Sequence, residues 1–475
     1  MIEYLEKRIK DRFNEVFFQT IDNQSITFGQ FFTFAKCIAN NWEVNGLKSG
    51  ERIAFRVNNS LALLASYLAC AIGGYTAVPI PLSLNKKNAD LIISKTNPVL
   101  ILNEPPLLKT NYKLSNNNEI KFYADPGYVF CIMFSSGTTG IPKGICLSFD
   151  RMIGSAMAFG RLSGYDFQTR LYHILPMLYM AGLMNAFLAP FISGSRIIEG
   201  PEFSLSQLSN FWERPVKNKV NAMVLFPIIA STLCRLARDK ELAIRNAKNL
   251  RIIQCTGNLL TEELREKFIK IFDKPLQDCY GITELGGGLS MQTRIDAISE
   301  NNSGKLIPEL KCRLINYSEN QKELWISSPY MMEGYLDEKN DKDTLDDNGF
   351  FNTGDLAAII NDKLTITGRS KDIIIRGAEN ISPEIIKKAI INVDGVDEVY
   401  VLGIPHKYWG ELVVACVVPS NKGIGQNLVN IINDSISKIL LPEYLPNKVV
   451  IVDNLPRSIS GTIQKKLLIE MIINE

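Results

Sequence analysis

The sequence predicts an α/β protein of two domains. The larger, residues 1–368, combines mostly parallel sheets with flanking helices and a β-rich subdomain; residues 369–475 form a small α+β domain. Three observations lead there. A chain of 475 residues exceeds the roughly 250–300 residues at which a single core stops growing. Strand-like and helix-like patterns alternate to about residue 290, as expected of parallel strands joined by crossover helices. After residue 300 the texture shifts to short alternating segments between Gly, Asp and Asn turns. The polar break Gly368-Arg369-Ser370-Lys371-Asp372 then precedes a stretch with its own strand–helix–strand pattern.

Taken in order, Ser25 to Thr33 reads as a short strand feeding a capped helix. Gly46 to Arg56 is a turn into a strand, and Asn58-Asn59-Ser60 opens a helix at Leu61. Two uncharged runs, Leu61 to Leu82 and Leu171 to Ser195, have the length of a membrane span. The first contains Gly73, Gly74, Pro79 and Pro81, and the second Pro176, Asn185 and Pro190, so both read as buried elements. Ser115 to Asn118 is a surface loop. Tyr128 to Phe134 is apolar, short and β-rich, a buried strand. Lys311 to Asn316 and Glu323 to Ser327 are strands of the β-rich subdomain.

Composition narrows the function. The net charge of +2, from 52 basic and 50 acidic residues, implies no large basic face and no nucleic-acid partner. The nine cysteines form no Cys-x-x-Cys pair, which points to reduced thiols in a cytoplasmic protein rather than a disulfide framework or zinc site. The two histidines, His173 and His406, leave little room for a His-rich metal site or a Ser-His-Asp triad. The amino terminus lacks the apolar core of a signal peptide.

The densest chemistry lies in Ser135-Ser136-Gly137-Thr138-Thr139-Gly140-Ile141-Pro142-Lys143-Gly144. Directly after a buried strand come four hydroxyls, three glycines and one lysine. Glycines allow backbone N–H groups to converge on an anion, hydroxyls add neutral donors, and Lys143 adds a mobile positive charge. That set suits a polyphosphate. It is not the Walker pattern, because Lys143 is followed by Gly144 rather than Ser or Thr.

With this loop, the later motifs in their order resemble the adenylate-forming superfamily: acyl-CoA synthetases, firefly luciferase and the adenylation domains of peptide synthetases. The resemblance runs from residue 25 to 466. Tyr280-Gly281-Ile282-Thr283-Glu284 looks like the family's Tyr-Gly-x-Thr-Glu. By resemblance Tyr280 stacks on adenine, Thr283 contacts the α-phosphate and Glu284 holds Mg²⁺, a hard cation suited to carboxylate and phosphate oxygens. Gly257 and Asn258 sit where the family has a loop beside the adenine. Asp355, in Thr353-Gly354-Asp355, would accept from the ribose hydroxyls, joined by Arg369, with Lys371 at or beside the pivot about which the carboxy-terminal domain moves. Arg376 to Pro383 resembles the loop lining the thiol channel, with Ala378 for the usual second glycine. His406, where an aspartate is usual, reads as a surface residue.

The resemblance implies ATP, Mg²⁺ and CoA or phosphopantetheine as cofactors and substrates. A small carboxylic acid and CoA or an acyl carrier protein would be the partners. Two departures stand out. Thr462 occupies the position of the family's late adenylation lysine. Three explanations remain open: Lys465, Lys466 or Arg457 substitutes; the enzyme adenylates slowly or mainly runs the thioester step; or the chain is a nucleotide-binding relative that acts as a scaffold. Tyr179 stands where many acyl-CoA synthetases have His and amino-acid-activating relatives have Asp, which argues against a free α-amino acid as substrate. Tyr179, Met180, Phe226, Gly257 and Ile282 are the expected acyl pocket. The expected catalytic set is Lys143, Thr283, Glu284 and Lys465.

Overall fold

The computed structural model describes residues 1–106, 120–123, 125, 127–135, 142–202, 210–318, 321–337, 345–376, 379–420, 425–457 and 462–474. It divides into two compact units. The first comprises Met1–Lys311, Ile326–Phe351 and Asn361–Leu364; the second comprises Cys312–Trp325, Asn352–Ile360 and Thr365–Glu475. Segments 312–325 and 352–360 group with the carboxy-terminal residues because their strands share a four-stranded sheet with Lys363–Arg369.

The first unit holds two α/β sheets. One has nine strands, with a parallel centre formed by Val16–Gln19, Arg196–Glu199, Arg170–His173, Ala222–Leu225, Ile252–Cys255 and Gln277–Ile282. Antiparallel strands close both edges. The other has six strands; Leu100–Leu102, Arg52–Phe55, Thr76–Pro79 and Val129–Ser135 run parallel, and Lys143–Ser148 and Gly334–Tyr335 are antiparallel to their neighbours. The expectation of mostly parallel sheets with flanking helices is met.

Local chemistry explains the element starts. Thr27 ends the strand Ser25–Thr27 and caps the helix Phe28–Val44 through a reciprocal capping box with Gln30, an arrangement worth about 1 kcal/mol. Ser60 accepts from the Leu63 N–H and starts the helix Leu61–Gly73, buried nearly all round. That burial explains why its uncharged sequence mimics a span; no helix of the described residues is long and apolar enough to cross a membrane. Phe17, Phe28, Phe31, Phe187 and Phe191 form one aromatic cluster, with Phe17 and Phe191 centroids 4.8 Å apart edge to face. It locks the strand Val16–Gln19 and the helix Phe28–Val44 onto the helical segment Ala181–Ile192.

In the second unit, strands Val396–His406 and Gly410–Pro419 alternate their side chains between two cores. Val399, Val401, Val413 and Ala415 face the helices Pro383–Ile391 and Gly425–Ile436. Leu402, Val414 and Cys416 face Leu468 and Ile472 of the helix Lys465–Asn474. A period-two pattern buried on both faces gives an α+β sandwich.

Candidate active site

The parallel pairing of three neighbouring strands, Ala222–Leu225, Ile252–Cys255 and Gln277–Ile282, stops at one level, since Leu225 pairs with Cys255 and Cys255 with Asp278, and the third strand runs on to Ile282. Their carboxyl ends therefore deliver Phe226, Gly257 and Tyr280 to one side of the sheet, where ligands of open α/β sheets bind. Gly257 has a φ of +86°, and a Cβ there would lie 2.9 Å from Phe226 Cδ1. The ring of Phe226 is thus packed on the Gly257 backbone, and only glycine allows both the turn and the contact.

The strand Gln277–Ile282 folds back through the turn Thr283–Leu285 onto Gly287–Met291. The register shifts between Tyr280 and Gly281, a bulge that re-aims the side chains beyond it. A Cβ on Gly281 would lie 2.1 Å from the Gly287 carbonyl oxygen, so the two chains touch backbone to backbone. Met180 and Met184 pack against Gly287, which is the register partner of Ile282. Gly281 is exposed, and Tyr280, Ile282, Thr283 and Glu284 are half-buried, while Leu285–Met291 are buried.

Glu284 is held at both ends. Its carbonyl accepts from the Met332 N–H at 2.8 Å, and Oε1 accepts from the Tyr335 hydroxyl at 3.2 Å. Lys143 Nζ lies 5.3 Å from the centroid of the same Tyr335 ring. Tyr335 therefore contacts both charges, one through its hydroxyl and one through its π face. Its position follows from pairing: Tyr335 lies opposite Ile145 on the strand that Lys143 opens. The sequence reading missed this residue, because a two-residue strand carries no periodic signal. The only clue was a Gly-Tyr pair, Gly334-Tyr335, in the β-rich stretch.

Ser135 and Lys143 are partners at the end of an antiparallel pair, so the glycine-rich segment begins and ends on one rung. Ser136, Gly137, Thr138, Thr139 and Gly140 lie outside the described residues, as do Ala378 and Ser115 to Asn118. Asn258 is exposed and its side chain accepts from the Leu259 N–H.

Beneath Tyr280, Asp278 is buried with Arg265, whose Nη2 lies 3.3 Å from Oδ2, and accepts from the Ser303 hydroxyl at 2.8 Å. Burial pushes its carboxyl up to about 6, against the pull of Arg265 and Ser303. Tyr179 shares a 3.3 Å hydrogen bond with Ser83. Burial raises its phenol, the Ser83 bond opposes, and the Glu202 charge adds to the rise. Asn59 pins the approach to Tyr179, donating to the Leu175 carbonyl at 2.8 Å and accepting from the Met177 N–H at 2.7 Å.

His173 is buried, with Nε2 3.2 Å from the Gly182 carbonyl, and desolvation brings it down to about 4. It is a neutral core residue. His406 is partly exposed and its Nδ1 accepts from the Tyr408 and Trp409 N–H groups, a turn-capping role.

In the second unit, Asp355 is 1% exposed and accepts from Arg369 Nε at 2.9 Å, with half of the Arg369 side chain open to solvent. The Asp355 N–H donates to Thr353 Oγ1 at 3.1 Å, which fixes the turn. Ser370 ties the same turn to Glu323 and to the Gly354 carbonyl. The late motif is closed by Gln464 N–H donating to the Pro456 carbonyl and by a bridge between Arg457 and Ile463. Thr462 is exposed, Arg457 pairs with Glu398, and Lys465 and Lys466 occupy the first turn of the helix Lys465–Asn474.

Among the described residues no cluster of three or more His, Cys, Asp or Glu could hold a metal. A single carboxylate such as Glu284 fits Mg²⁺, which is commonly held by one or two carboxylates and substrate phosphates.

A family model described as AMP-binding enzyme matches residues 5–336, and one described as AMP-binding enzyme C-terminal domain matches residues 386–462. The chain is 26% identical over 481 residues to the long-chain-fatty-acid–CoA ligase FadD13 of Mycobacterium tuberculosis, covering 94% of this chain and 93% of that protein. It is 24% identical over 474 residues to the 2-succinylbenzoate–CoA ligase of Bacillus subtilis, with coverage of 94% and 93%. Among solved structures, ATP-bound MatB from Rhodopseudomonas palustris superposes with a TM-score of 0.86 at 21% identity, covering 99% of each chain. The Bacillus subtilis o-succinylbenzoate CoA synthetase with its acyl-adenylate gives 0.84 at 22% identity over 98% of each. The structural likeness establishes the fold.

Proposed function

The chain belongs to the AMP-binding enzyme family, and from that premise we propose that it is an acid–thiol ligase acting in the cytoplasm. It uses ATP to convert a carboxylic acid into an acyl-adenylate and passes the acyl group to CoA or to the pantetheine of a carrier protein. The observation that carries this reading is the Lys143–Tyr335–Glu284 arrangement.

A substrate carboxylate oxygen attacks the α-phosphorus and pyrophosphate leaves. Negative charge grows on the phosphates, so positioned positive charge and donors supply most of the catalysis. Lys143 and the Ser135–Gly140 donors take the outer phosphates, and Thr283 the α-phosphate. Glu284, steadied by Tyr335, holds Mg²⁺, which when bound adds positive charge there. Tyr280, Gly281, Gly257 and Asn258 bound the adenine. Asp355 accepts from the ribose hydroxyls, with Arg369 beside it. A thiol then attacks the acyl carbon and AMP departs.

Residues 1–368 carry the first half-reaction, and residues 369–475 turn about Arg369–Lys371 between the two. Lys465 replaces the missing lysine, since it heads a helix one turn past Thr462 while Arg457 is engaged by Glu398. Tyr179, Met180, Phe226 and Ile282 line the acyl pocket. Tyr179 offers no counter-charge for an α-ammonium group, so the acid is not a free α-amino acid. Acid-dependent pyrophosphate release across a carboxylate panel tests this; preference for a zwitterionic amino acid would overturn the substrate assignment.

A further inference from the structure

A cavity of about 440 Å³ lies at the opposite, amino ends of the central strands. Arg12, Arg170, Arg196 and Lys219 line it together with Glu15 and Phe167. Arg170 and Arg196 open adjacent parallel strands and are direct register partners. Like charges placed opposite each other destabilise a sheet. Burial, then the Arg170 charge, hold the Arg196 guanidinium below its ordinary value, and Glu15 pulls the other way. Glu15 is itself paired with Arg12, whose guanidinium sits 5.7 Å from the centroid of the Phe167 ring. No second carboxylate lines the cavity among the described residues. The fold has thus gathered three cations beyond the one that Glu15 matches.

We propose that this cavity is a second anion site, which binds a small di- or triphosphate. Arginine forks match phosphate oxygens, and two forks held side by side suit a multiply charged group. The cavity is of small-molecule size. The strand Ala222–Leu225 links Asn221, in the cavity lining, to Phe226 at the far end, a span of roughly 17 Å at ~3.3 Å per residue. This site is therefore separate from the nucleotide site proposed above and does not depend on it.

Two sources share this chemistry, inorganic pyrophosphate and a nucleoside diphosphate, and the exposed Phe167 offers a ring contact to the second only. Calorimetric titration of the full-length protein with pyrophosphate and with ADP separates them. The expected result is that Lys219→Glu and the double variant Arg170→Gln/Arg196→Gln each weaken binding at this site at least ~10-fold. Lys143→Ala should leave it intact, and turnover without added ligand should be unchanged in the cavity variants. Lys219 is exposed, so its variant remains decisive should the double variant fail to fold. Wild-type affinity for both probes in Lys219→Glu and in the double variant, or loss of all binding in Lys143→Ala alone, would overturn the proposal.

Discussion

At the scale of single residues, Tyr335 joins charges that lie far apart in sequence. Its hydroxyl orients Glu284, and its ring faces Lys143. Tyr335→Phe keeps the ring and removes only the hydroxyl. Hydrogen bonds to charged groups are worth about 1.5–3 kcal/mol, and this one is partly exposed. Pyrophosphate release should fall about 10-fold, with a raised Mg²⁺ requirement and little change in thermal stability. An unchanged Mg²⁺ dependence would remove Tyr335 from the site. Asp278 gives a pH prediction. Its carboxyl is pushed from 3.8 up to about 6, mainly by burial. Between those values the native chain keeps a proton that the unfolded chain has lost. The group's contribution to stability therefore falls as pH rises through that window and is level above it. Relative to Asp278→Asn, the wild type should lose on the order of 2 kcal/mol of unfolding free energy between about pH 4 and 7, read from urea titrations.

At the scale of elements, the hairpin Gln277–Ile282/Gly287–Met291 sets the site by backbone contact. Gly281→Ala places a methyl 2.1 Å from the Gly287 oxygen, and backbone on both sides cannot give way. A loss of several kcal/mol is expected, with loss of nucleotide affinity, measured by thermal unfolding and AMP titration. Wild-type stability would show that the two chains are not in contact. Other elements were legible in advance. The strand ending at Ser135, the capped helices at Phe28 and Leu61, and the hairpin segments after residue 310 all announced themselves by periodicity and capping chemistry. Local patterns carry such information because they encode burial of one face. The pairing of Gly334–Tyr335 with Lys143–Ser148 did not show, since it joins segments nearly two hundred residues apart. The packing of Phe226 on Gly257 and the arginine pair Arg170/Arg196 were hidden for the same reason: sheet order decides them, and sequence spacing does not encode it.

At the scale of the whole molecule, two compact units divide the proposed work. The first carries Lys143, Tyr280 and Glu284; the second carries Asp355, Arg369 and Lys465. If Lys465 supplies the charge that Thr462 cannot, Lys465→Ala should slow adenylation roughly 100-fold while leaving thioester formation from a supplied acyl-adenylate intact. Lys466→Ala should leave both steps near the wild-type rate. Equal rates for both variants would transfer the role elsewhere.

The most direct measurement incubates the purified protein with ATP, Mg²⁺ and a panel of carboxylic acids, first without and then with CoA or pantetheine-loaded carrier protein. Pyrophosphate should appear in step with an enzyme-bound acyl-adenylate before the thiol is added, and AMP and thioester only afterwards. Binding of ATP with no acid-dependent pyrophosphate under any condition would contradict the ligase reading and leave a nucleotide-binding scaffold in its place.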